Sequence, residues 1–245
     1  GFVDEIAQLY YNDYEANETT LTKTFDLRYR DEDVRPQIDA IWSKAYNTIA
    51  SANSVLDNIS GHDFAILPRI RGEALTVRAF LHFDLLRLFA PNIERGDEQA
   101  IPYVEHFSIS PVERSTVREV YERIVADLTE AYGLLRDAQP ASGRTPEELY
   151  VSQYAAAALL ARVCNWGGDH ETAERYALEA LKGPFAFIRE EQIKNLFLGY
   201  TARTECIWGL HAPDMYLDVR SRLYPTRLTD ELDMVRDNYQ TIFRV

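Results

Sequence analysis

The stretch Arg71-Gly-Glu-Ala-Leu-Thr-Val-Arg-Ala-Phe-Leu-His-Phe-Asp-Leu-Leu-Arg-Leu-Phe89 decides the fold of this chain. It predicts one helix from Ile66 to Phe89, about 36 Å long at roughly 1.5 Å per residue. Leu75, Phe80, Leu81, Phe83, Leu85, Leu86, Leu88 and Phe89 put apolar surface on nearly every side, so the helix is expected inside a stack of helices, not on its edge. Glu73 and Arg78 sit among Gly72, Ala74 and Ala79, where neighbouring helices can approach closely and a charge needs a partner. Five residues apart, the two do not face each other on one helix. Each is expected to be held by backbone groups or charges of adjacent helices, which is a structural role.

Reading outward, Phe2, Val3, Ile6, Leu9, Tyr10 and Tyr14 have the spacing of a short amphipathic helix, and Asn17 to Arg35 reads as an irregular, charge-rich loop. Pro36 opens a helix to about Ile59, with Ile38, Ile41, Trp42, Ala45, Tyr46, Ile49, Ala52, Asn53 and Leu56 inward and Gly61 ending it. This helix and the 66–89 helix should form an antiparallel pair. Pro91 stops the pair, and a polar loop with Gly96 and Pro102 runs to Pro111. Thr116 and Glu119 form a capping box ahead of the stripe Val117, Val120, Ile124, Leu128, Ala131 and Leu135. A second capping box, Thr145-Pro146 with Glu148, predicts a helix to about Trp166, broken by Gly167-Gly168. Asp169 can cap a further helix carrying Ala173, Tyr176, Ala177, Ala180 and Leu181, which stops at Gly183-Pro184. Leu160, Ala161, Gly168, Ala173, Ala177 and Ala180 fall at tetratricopeptide-like offsets, with Ala157 where that repeat prefers tryptophan. Beyond Phe185 the expectations are a short helix near Gln192 to Leu198, a short strand over Glu205 to Leu210, extended loop from Ala212, and a last helical segment from about Asp230. The fold class is all-α: stacked antiparallel helix pairs in one domain over 1–245, with a repeat core about 36–183 and an irregular tail about 184–245.

The formal charge of −13 argues against nucleic-acid or anionic-membrane surfaces, which need a basic face. With 46% hydrophobic and 27% charged residues, the composition is that of a folded domain, not a disordered chain. Cys164 and Cys206 lack CxxC spacing, so neither a disulfide framework nor zinc chemistry follows. His62, His82, His106, His170 and His211 are scattered, and His82 reads as a satisfied interior histidine. No GxSxG, P-loop or GxGxxG is present. No apolar run is long enough to span a membrane, and Asp4 and Glu5 exclude a signal peptide at Gly1.

Glu73-Ala74, three intervening residues, Arg78-Ala79 and then an aromatic-rich run resembles the signature helix of the SusD/RagB family. Trp42, Tyr46, Ile49, Asn53 and Leu56 are similar to its first repeat helix, and Ile101-Pro102-Tyr103 to its short proline-containing segment. Tyr121, Ile124, Asp127 and Leu128, then Tyr154 to Val163, Ala173, Tyr176, Ala177 and Glu205-Cys-Ile-Trp208, continue in the family's order. The resemblance covers roughly 36–210 and rests on order and spacing. It implies a non-enzymatic, surface-exposed outer-membrane lipoprotein of Bacteroidetes that binds an oligosaccharide or other nutrient for a SusC-like TonB-dependent transporter. No cofactor, metal or catalytic residue is implied. The family's lipidated cysteine and its loop-rich carboxy-terminal region have no counterpart in the chain, so a partial or reduced member is expected. Trp42, Tyr46, Asn53, Glu73, Arg78 and Tyr154 are read as its structural signature.

A sugar's apolar face stacks on an aromatic ring while polar side chains take its hydroxyls. The aromatics outside the helical stripes are Tyr11, Tyr14, Tyr29, Tyr103, Tyr200 and Tyr216. Tyr10, Tyr11 and Tyr14, followed by Asn12, Asp13 and Asn17, form the densest cluster, and with Tyr29 they are the candidate glycan contacts. Trp42, Trp166 and Trp208 read as packing residues. Two other readings stand beside this one. A tetratricopeptide-like scaffold would bind a protein segment. An all-helical glycoside hydrolase needs two opposed carboxylates, whereas Glu147-Glu148 and Glu190-Glu191 are sequence neighbours that point to different sides of a helix.

Overall fold

The computed structural model describes residues 20–138, 149–189 and 205–210. Six α-helices and one 3-10 turn account for its regular structure, and among the described residues the only β-type pairing is an isolated bridge between Gln99 and Thr116. The chain divides into two compact units, Gly1–Ser43 with His211–Val245, and Lys44–Leu210. The predicted first helix and those near 192–198 and beyond 230 lie outside the described residues, as do Tyr10, Tyr11, Tyr14, Tyr200 and Tyr216.

In the first unit, α1 (Thr20–Phe25) stands where the sequence reads as a loop. It is under two turns long and ends without glycine. Leu27 takes the left-handed conformation (φ 59°) while the Arg28 amide donates to the Lys23 carbonyl at 2.9 Å and the Leu27 amide to Thr24 at 3.0 Å. That is a Schellman stop, normally given to glycine because a Cβ strains it. The charges that suggested a loop brace the following turns instead: Lys23 Nζ lies 2.8 Å from Asp33, and Arg28 lies 2.8 Å from Asp31.

α2 (Arg35–Ile59) begins within one residue of Pro36, and Gly61 follows it at φ 82°. In the second unit α2 runs antiparallel to α3 (Leu67–Phe89): Tyr46 meets His82, Asn53 meets Arg78, and Leu56 packs with Ala74 and Leu75. α3 buries its inner face from Gly72 to Leu86, but neither end is buried: Pro68 is exposed and Leu88 is 43% exposed. α4 (Val117–Asp137) carries the predicted capping box, with Thr116 and Glu119 satisfying each other's backbone amides, and its whole predicted stripe is buried. At Gly72 α3 and α4 approach closely, since a Cβ there would lie 2.8 Å from Leu135 Cγ and 3.2 Å from the Ala131 carbonyl.

α5 (Gln153–Gly167) starts later than the sequence suggests. Ser152 caps it through the Ala155 amide, and residues 150–152 are non-helical, so no helix continues from Thr145 to Trp166. Gly168 (φ 83°) ends it as predicted, and Asp169 then caps α6 (His170–Ala180) through the Thr172 amide. Glu205 to Leu210 is not a strand. A strand needs a ladder partner. Here the Ile188 amide donates to the Glu205 carboxylate instead, while Ile207 and Trp208 pack on the cluster of Leu135, Val151, Ala155 and Ala156.

Candidate functional site

The predicted polar loop after α3 holds the unit's most elaborate polar arrangement. Ala100, Ile101 and Tyr103 are buried, contrary to a polar loop, and the segment's backbone groups are taken up by helix side chains. Tyr46 Oη donates to the Pro102 carbonyl at 2.8 Å, and Asn53 Nδ2 to the Val104 carbonyl at 2.8 Å. The Val104 amide donates to His82 Nε2 at 3.1 Å. An acceptor at Nε2 places the imidazole proton on Nδ1, which donates to the Arg78 carbonyl at 2.9 Å. Burial holds His82 neutral, pulling its pKa to about 3.

Arg78, 7% exposed, is the hub. Its Nε and Nη2 donate to the two Asp127 oxygens at 2.7 Å each, and its Nη1 donates to Asn53 Oδ1 and the Glu105 carbonyl at 3.0 Å each. Tyr103 Oη donates to Asp127 Oδ2 at 2.5 Å, and its ring stacks on His82 at 4.0 Å between centroids. Burial, then the Asp127 charge, pushes the Tyr103 phenol far above its usual range. Burial alone would lower the Arg78 pKa, but Asp127 outweighs it and keeps the guanidinium charged. This is a buried bidentate ion pair whose guanidinium makes two further hydrogen bonds through Nη1 and whose carboxylate takes a third from Tyr103, and such added bonds are what let a buried pair be tolerated. It clamps the 101–105 segment between α2, α3 and α4. Tyr103, considered as a sugar-stacking ring, is therefore unavailable at 2% exposure.

Tyr46, Asn53 and Arg78 are all tied into this clamp by side-chain hydrogen bonds. Tyr154 packs edge-on against Phe185 at 5.8 Å. Trp208 packs against Phe80 at 5.5 Å. Tyr29 is the one candidate glycan contact among the described residues, and it is 46% exposed.

Two half-buried aromatic groups in the second unit were not picked out as binding residues by the sequence. Tyr132 on α4 and Tyr176 on α6 meet edge-to-face at 5.4 Å, with Arg136 over the first ring and Arg175 over the second. The Tyr132 hydroxyl donates to Glu179 at 3.1 Å, and Lys182 reaches the same carboxylate at 2.6 Å. Trp166 on α5 stands edge-on to Phe83 at 5.7 Å and 6.2 Å from Tyr121. Helical periodicity hides both groups, because a ring on a stripe that is half in the seam and half in water has the same spacing as a core residue.

The chain matches the SusD-like family described as "starch-binding associating with outer membrane" over residues 4–164. It is 31% identical over 170 residues to SusD-like protein P2 of Formosa agariphila, covering 65% of this chain and 30% of that protein. A SusD-like carbohydrate-binding protein from Bacteroides vulgatus superposes with a TM-score of 0.68 at 24% identity, over 85% of this chain and 43% of that one. A laminarin-binding SusD-like protein superposes with a TM-score of 0.56 at 20% identity, over 74% of this chain and 37% of that one. At such identities the structural likeness speaks for the fold. The chain spans under half the length of each of these relatives.

Proposed function

Because this chain belongs to the SusD-like family of starch-binding, outer-membrane-associating proteins, we propose that it is a non-enzymatic glycan-binding protein displayed at the cell surface. In this reading it captures an oligosaccharide and passes it to a SusC-like TonB-dependent transporter, held at the outer membrane by a lipid anchor. Residues 36–183 are read as its helical scaffold. The observation that carries the reading is the family match over residues 4–164, which spans α1 to α4 and most of α5. The names of the relatives, carbohydrate-binding and laminarin-binding, support the ligand class. Among the described residues no helix is long and apolar enough to cross a membrane.

The proposed sugar-facing residues are Tyr10, Tyr11, Tyr14 and Tyr29. The exposure of Tyr29 supports its place in that group, since stacking needs a ring face open to solvent. A glycan array followed by calorimetry tests the function. Saturable binding of at least one oligosaccharide, weakened about ten-fold by Tyr29→Ala, is the expected result, equivalent to about 1.4 kcal/mol. Absence of binding to every glycan, with stable co-purification of a peptide partner, would replace this reading with the tetratricopeptide-like scaffold. Co-purification with a SusC-like barrel from outer-membrane extracts tests the partnership.

A further inference from the structure

Phe83 is 1% exposed, yet two guanidiniums stand over its ring. Arg87 Cζ, one turn along α3, lies 4.9 Å from the ring centroid, and Arg162 Cζ, from α5, lies 6.0 Å from it. Arg87 is paired with Asp84. Arg162 is exposed, and among the described residues no carboxylate lies within ion-pair distance of it. In a chain of formal charge −13, carboxylates are the commonest partners for an exposed arginine. This one is instead held by an aromatic ring, with its fork of donors unused by any anion.

Trp166 follows Arg162 by one turn of α5 and rises beside the same ring, half-buried. Tyr121 closes the other side. It lies so close over Gly167 that a Cβ there would be 2.3 Å from its ring, so the glycine is what lets the tyrosine pack beside the tryptophan. The patch therefore has an aromatic floor and walls, with Arg162 and the Asp84-paired Arg87 at its rim, so that an incoming oxyanion competes with Asp84 for Arg87. The carbonyl ends of α3 and α5 are near, and their negative partial charge opposes an anion. Capture of one consequently calls on both guanidiniums.

We propose that this patch, between the carboxy-terminal halves of α3 and α5, binds an acidic saccharide. The carboxylate or sulfate lies on Arg162 and Arg87, and the sugar ring lies against Trp166. A planar oxyanion matches the guanidinium fork, and a pyranose offers its C–H face to the indole. The inference rests on the glycan-binding reading above and narrows its substrate class.

Calorimetry on the whole chain with tetragalacturonate, a sulfated carrageenan tetrasaccharide and neutral laminaritetraose tests it, at low and at raised sodium chloride. At least one acidic probe should bind, and more weakly at high salt, because exposed charge pairs are screened. Arg162→Gln should weaken that probe by about ten-fold or more, the loss expected for a charged hydrogen bond, and leave any neutral binding within about two-fold. Arg162→Lys, which keeps the charge but not the fork, should retain the salt dependence and lose most of the affinity. The carboxylate and sulfate arms identify which oxyanion is used. Binding of laminaritetraose alone overturns the acidic-ligand inference while sustaining the glycan-binding reading. Binding of no probe, and of no glycan on the array, overturns both. Unchanged acidic binding by Arg162→Gln, with melting as in the parent, places the ligand elsewhere and overturns the site.

Discussion

Replacing Asp127 with asparagine removes one charge from the buried pair and keeps the side chain's shape. Asp127 accepts three hydrogen bonds, two from Arg78 at 2.7 Å and one from Tyr103 at 2.5 Å, and is 8% exposed. After Asp127→Asn the Arg78 guanidinium remains buried with no counter-charge, and the new amide hydrogens compete with its own donors. Removing one member of a buried pair costs about 3–5 kcal/mol. For a chain of this size that lowers the melting temperature by about 6–20 °C, at about 2–4 °C per kcal/mol. Tyr103→Phe removes only the third bond and should cost less, about 1.5–3 kcal/mol for a hydrogen bond to a charged group.

A double-mutant cycle of Arg78→Met and Asp127→Leu followed by circular dichroism isolates the pair. The double variant should lose less than the sum of the single losses by about 0.5–3 kcal/mol, the range for residues in direct contact. It should not return to the parent's stability, because the Asn53 and Glu105 carbonyls and the Tyr103 hydroxyl are left without their partners. Glycan affinity measured below the melting range should stay within about two-fold, since a purely structural change affects binding only through the folded fraction. A loss under about 1 kcal/mol for Asp127→Asn, or unchanged melting with abolished binding, would refute the clamp and put Arg78 and Asp127 in a ligand site.

The folded His82 pKa of about 3 lies below its ordinary 6.5, so the unfolded chain takes up the extra proton first. The stability this group contributes is therefore complete above about pH 6.5 and is lost as pH falls toward 3, at up to about 1.4 kcal/mol per pH unit. Urea titrations across that range should show this slope flattened in His82→Gln, and parallel curves would contradict it. Gly167→Ala should cost about 1–3 kcal/mol by driving a methyl group into the Tyr121 ring, and Tyr121→Ala in the same chain should relieve most of the clash in a thermal melt. Thr116→Ala, which frees the Glu119 amide at the start of α4, should cost about 1 kcal/mol in the same assay.

The helices were legible where local chemistry alone sets them. Thr116 with Glu119, Gly168 and Asp169 each act within a turn of themselves, so their residue types suffice to place the ends of α4, α5 and α6. α1 was not legible, because it stops at a left-handed leucine where glycine is the usual signal. The start of α5 was misplaced because Thr145-Pro146 with Glu148 is a stronger pattern than the lone Ser152 that caps it. The same division runs through the polar clamp. The sequence shows that Arg78 lies in a crowded helix and needs a partner, and which of the 39 acidic residues supplies it is a matter of packing. Asp127 lies 49 positions on, and its carboxylate reaches Arg78 across the α3–α4 seam, where Gly72 leaves room for Leu135 and the Ala131 carbonyl. Tyr103 shows the same limit from the other side, since a tyrosine after a proline in a loop reads as exposed until Tyr46, Asn53, His82 and Arg78 are seen to satisfy the backbone on either side of it. The residues that bury the loop therefore sit on α2 and α3, between 22 and 56 positions away from it in the sequence. For that reason an aromatic's availability to a ligand must be judged from the partners of the neighbouring backbone, and not from its distance to the nearest helical stripe.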